Sequence, residues 1–173
     1  SGKSSFNSNI SDWDVSNVTT MDQMFSSCTQ FNSNISGWNT GNVTNFTGMF
    51  RYSENFNLDI SNWNCSKGEQ FTGMFEKAYE FNQPIGNWDV SNGFEFAAMF
   101  ADAHKFNQPI GDWNMSSAKR LTAMFACTQA NFPMQFNQPI GDWNTSNVND
   151  FTQMFFDASK QSHFNQDISN WNI

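Results

Sequence analysis

Residues 6–30 read FNSNISDWDVSNVTTMDQMFSSCTQ, and two overlapping patterns inside them decide the fold. Between Ile10 and Val18, Trp13 and Val15 alternate with Asp12, Asp14 and Ser16, which is the period-two pattern of a half-buried strand. Further on, Val18, Met21, Met24, Phe25 and Cys28 recur at steps of three and four. That is the apolar stripe of a short helix, with Asn17 or Thr19 as its cap. The spacing therefore predicts one short strand and then one short helix.

The same unit then repeats. Tryptophan returns at Trp13, Trp38, Trp63, Trp88, Trp113, Trp143 and Trp171, with four intervals of 25 residues followed by 30 and 28. A Phe-Asn pair keeps the beat from Phe6 to Phe164, and a Met-Phe pair follows it from Met24 to Met154. Self-similarity at this period marks a stacked-repeat chain. Residues 1–173 are read as a single solenoid domain of six full repeats (6–30, 31–55, 56–80, 81–105, 106–135 and 136–163) and a partial seventh, 164–173. The expected fold class is an α/β solenoid, a right-handed coil with one short parallel strand and one short helix in each repeat of about 25 residues. The Trp and Ile rows face inward, and the Asn after each Phe satisfies turn backbone and hands on to the next unit. The chain enters near Ser1 in phase with the repeat and stops inside the seventh unit without atypical polar ends, so it reads as a fragment of a longer array.

Three segments, FNSNISDWDVSNVTTMDQMF, FNQPIGNWDVSNGFEFAAMF and FNQPIGDWNTSNVNDFTQMF, carry a family resemblance. Their spacing resembles the leucine-rich repeat of BspA-type surface proteins. It is more closely similar to the FNQDISNWDVSNVTNMxxMF repeats of mycoplasma lipoproteins and of microbial and protist surface proteins. The resemblance covers essentially the whole chain. It implies a leucine-rich-repeat-like coil, a role in adhesion or protein contact, and a place at the cell surface or outside the cell.

Composition narrows the function. Sixteen acidic residues against eight basic ones leave a net charge of -8, a poor match for nucleic acid or anionic lipid. No apolar run is long enough to span a bilayer, so direct membrane insertion is not expected. Cys28, Cys65 and Cys127 lie in alternate repeats, too far apart for disulfides, and read as free core thiols. The two histidines, His104 and His163, have no Cys at ligand or nucleophile spacing in the sequence, and no phosphate-binding or nucleophile motif is present. The reading is non-enzymatic, with no metal site and no cofactor.

Two surfaces remain. Extra residues fall after Cys127 (Thr128–Gln135) and near Ser159–His163, on one edge of the stack, and insertions of this kind often mark the binding edge. Phe132 and Met134 in the first insertion, Phe94 and Phe156 at outward helix positions, and Tyr52 beside Arg51 are the candidate protein-binding residues. They point to an interaction or scaffold module, an adhesin segment or a peripheral subunit of a larger assembly. The alternative is a ligand face recognising glycan, calcium or ice through the outward row Asp14, Asn39, Asn64, Asp89, Asn114 and Asn144. Regular calcium motifs are absent, and the bland reading of that row is a hydrogen-bonded ladder that holds a sheet in register.

Overall fold

The computed structural model describes residues 4–173; Ser1 lies outside the described residues. Each 25-residue unit forms one rung, and successive rungs stack in register. Single parallel bridges link Thr20, Asn45, Gln70, Glu95, Arg120 and Asp150 in turn, and one more joins Cys127 to Asp157. Among the described residues there is no helix and no continuous strand. The α/β solenoid with a leucine-rich-repeat strand and helix in each unit is therefore not what this chain builds.

The hydrogen bonds explain why the helix does not form. Met21, Gln23, Phe25 and Ser27 donate their N–H groups to the carbonyls of Asn45, Thr47, Met49 and Arg51 at 2.7–2.9 Å. The N–H groups between them close tight turns within the rung, Met24 to Met21, Ser26 to Gln23 and Cys28 to Phe25. Half the donors thus go to the next rung, and an i→i−4 ladder has none left to use. The third residue of these turns is left-handed. Gln23, Gly48, Gly73, Ala98, Ala123 and Gln153 have φ between 51° and 58°, and Ser27, Tyr52, Lys77 and Asp102 form a second such row. A left-handed residue every fourth position is incompatible with a right-handed helix. Consecutive turns also return an apolar side chain to the interior every three or four residues, which produces the same stripe a helix would.

The predicted strand gives way in the same manner. Trp13 donates to the Ile10 carbonyl and Val18 to the Val15 carbonyl, so the segment is two tight turns. The interior is aromatic, as expected. Trp38, Trp63 and Trp88 stack at 6.4–6.5 Å between centroids, and Phe50–Phe56, Phe75–Phe81 and Phe100–Phe106 pair at 3.7–3.9 Å where one repeat passes into the next. Each indole N–H from Trp38 onward reaches back to the Ile carbonyl of the preceding rung, as in Trp88 to Ile60 at 3.1 Å. Among the described residues Trp13 makes no such bond, and it is 53% exposed. The Asn after Phe also works between rungs: Asn57, Asn82, Asn107 and Asn137 each accept the N–H of the equivalent Asn one rung on. The three cysteines are buried.

Candidate functional site: an aromatic cleft at the edge of rungs four and five

The regular stack breaks after Cys127. The chain leaves the rung there, turns at Gln129–Phe132, and rejoins when Gln135 donates to the His104 carbonyl at 2.9 Å. Tyr79 and His104 lie one repeat apart, so stacking sets one ring against the other at 5.1 Å and 22°. Phe132 from the inserted loop closes on the other side of His104 at 5.7 Å. Gln129 bonds the Tyr79 hydroxyl at 2.9 Å and ties the loop to rung three. Together with Pro133 and His163, these rings line a cleft of about 400 Å³. The half-exposed Lys105–Glu80 ion pair stands at its rim. Phe132 remains 58% exposed, so a broad apolar surface faces the opening.

A polar cluster lies behind the His104 ring. Donor atoms of Asp102, His104 and Cys127 all fall within 4.8 Å of one another. Both imidazole nitrogens are enclosed and have no hydrogen-bond partner. Asp102 is fixed from outside, one carboxylate oxygen accepting the Thr128 N–H at 2.6 Å and the other its hydroxyl at 2.5 Å. Burial pushes the His104 pKa down against the pull of Asp102, which favours the neutral ring. Burial first, and then the carboxylates of Asp102 and Asp157, push the Cys127 thiol up. The thiol lies 3.4 and 3.2 Å from the carbonyls of Gln129 and Phe132, at the base of the loop. A protonated, buried thiol is a poor nucleophile.

The residues singled out from sequence divide. Phe132 lines the cleft, whereas Met134 folds into the core at 5% exposure. Phe156 is exposed on the next rung, beside Met134 and Cys127. Tyr52 lies elsewhere, half-buried under the cations of Arg51 and Lys77. Phe94 meets Lys119 at a separate shallow depression. The five do not form one patch.

The outward row behaves differently from a ladder. Asp14, Asn39, Asn64, Asp89, Asn114 and Asn144 each accept the backbone N–H two residues on, at 2.9–3.2 Å, and so cap their own turns. Register is kept by the backbone bonds between rungs.

Sequence reasoning missed Tyr79, His104 and Cys127. Linear spacing keeps Cys127 away from both histidines, but stacking brings residues one rung apart together. Reading columns would have found the signal: the positions filled by Ser27, Tyr52 and Lys77 in the first three rungs hold Asp102, Cys127 and Asp157 in the last three.

A family model described as Mycoplasma protein of unknown function, DUF285, matches residues 1–79, 40–133 and 132–173. These matches together span the chain and agree with the mycoplasma side of the resemblance, while giving no support to a BspA-type leucine-rich repeat. No curated protein and no solved structure matches.

Proposed function

Because the chain belongs to the DUF285 family of mycoplasma proteins, a group defined by sequence and not by an activity, we propose from its surface that it is a non-enzymatic interaction module. In this reading it binds another protein at the cleft of rungs four and five, as an adhesin segment or a peripheral subunit of an assembly. The observation that carries the proposal is Phe132, a large apolar ring 58% exposed at the mouth of an aromatic cleft. Exposed aromatic groups beside a preformed pocket are the usual anchors of protein contacts. The occupant that fits is a partner segment presenting an apolar side chain between Tyr79, His104 and Phe132, with the Lys105–Glu80 pair at the polar rim.

A photo-crosslinking residue at position 132 tests this in native material. The expected result is a cross-link to one defined protein, absent when the probe sits at Asn64, with binding of that protein weakened at least ten-fold by Phe132→Ser. A partner that binds Phe132→Ser as tightly as the parent chain, or cross-links equally well from Asn64, overturns the assignment.

A further inference from the structure

We propose that Asp102, His104 and Cys127 form a site for a divalent transition metal of the zinc class, built where the inserted loop leaves rung five. Three observations meet there. A carboxylate, an imidazole and a thiol have their donor atoms within 4.8 Å of one another, close to the separation of about 3.5 Å between ligand atoms around tetrahedral zinc. Both nitrogens of His104 are enclosed without a hydrogen-bond partner, an arrangement buried polar atoms rarely keep unless something else satisfies them. Asp102 is already oriented by two bonds from Thr128, the outer support that ligating carboxylates usually have.

The donor set selects the metal. Thiolate and imidazole favour zinc and its neighbours over magnesium or calcium, which prefer all-oxygen shells. Asp102, His104 and Cys127 supply three ligands, and water completes the tetrahedral shell. Binding forms the sulfur–metal bond and releases the Cys127 proton to solvent, while His104 supplies a ring-nitrogen lone pair without losing a proton. Bonding His104 to the base of the loop also fixes one wall of the cleft, although the site stands whether or not a partner docks there.

Titration of the full chain with Co²⁺ tests the site directly. One equivalent is expected to give thiolate-to-cobalt charge-transfer absorption in the near ultraviolet, and Zn²⁺ is expected to abolish it. Cys127→Ser should remove the band, and Cys65→Ser should leave it. His104→Phe keeps a ring against Tyr79 and Phe132, and should weaken binding by about ten-fold or more. Phe132→Ser should keep the band, which separates this site from the partner cleft. No band at excess Co²⁺, or a band that survives Cys127→Ser, overturns the proposal. Should Cys127→Ser fail to fold by near-ultraviolet circular dichroism, Zn²⁺ calorimetry on the parent chain in two buffers decides: one proton released per ion supports the site, and none overturns it.

Discussion

From Trp38 onward, each tryptophan of the repeating column does two physical jobs. Its ring buries a large apolar area against neighbouring rings, as Trp88 does on Trp63 and Phe75, and its indole N–H reaches the Ile carbonyl of the rung before. That carbonyl already holds one bond within its own rung, as Ile60 does from the Trp63 N–H at 3.1 Å. Removing the indole donor therefore leaves no orphaned acceptor. Trp88→Phe is expected to cost about 1 kcal/mol, the net worth of one hydrogen bond. Trp88→Ala should cost about 3–5 kcal/mol because a cavity replaces the ring. Guanidinium denaturation of both variants checks the difference, and equal losses would show that the indole bond dominates the column. The inward direction of the Trp row was legible in the repeat, but the Ile carbonyl as its partner was not. That partner lies 28 residues away in the sequence, where no local pattern points to it.

The turn ribbon is where sequence pattern and structure part. Val18, Met21, Met24, Phe25 and Cys28 fit a helix by spacing, and the chain spends the same spacing on consecutive tight turns. Gly48 and Gly73, in a column otherwise filled by Gln and Ala, were the available hint, since glycine suits the left-handed third residue of such turns. Ala98 and Ala123 adopt that conformation too, so Gly73→Ala should cost only about 1 kcal/mol. Gly111 differs in kind. A Cβ there would lie 2.4 Å from the Pro139 carbonyl oxygen of the next rung, and backbone cannot step aside as a side chain can. Gly111→Ala is expected to destabilise by about 2–3 kcal/mol through overpacking. Thermal melts of the two variants side by side test this, and a smaller loss for Gly111→Ala than for Gly73→Ala would refute the close rung contact.

At the scale of the whole molecule, the repeated Asp caps couple stability to pH. Hydrogen bonds from the Ser two residues on, first its hydroxyl and then its N–H, hold the carboxyls of Asp14, Asp59 and Asp89 below their ordinary pKa. A carboxyl whose pKa is lower in the folded state stabilises the fold above its unfolded value, and the gain is lost as pH falls through the folded value. The window therefore lies below about pH 4. Asn39, Asn64, Asn114 and Asn144 cap the turns equivalent to those of Asp14 and Asp89 without a charge, and Asn9 and Asn34 do so at the turn equivalent to that of Asp59. The triple variant Asp14→Asn, Asp59→Asn and Asp89→Asn should fold and lose less melting temperature than the parent between about pH 5 and pH 3. Parallel melting curves across that range would show that these caps do not drive the acid response.

By itself, the sequence determined the period, the aromatic interior, the linking role of the Asn after Phe, and the edge where the repeat breaks. All of these follow from residue type recurring at a constant interval, which is written in the chain. Tertiary structure alone decided that the backbone would turn instead of coil into helices, because that choice rests on donors shared between rungs. It also decided that Phe132 stays outside while Met134 packs inside, and that Tyr79, His104, Asp102 and Cys127 meet at one place. Residues a rung apart are distant along the chain and adjacent in space, and only the stacking register turns one separation into the other.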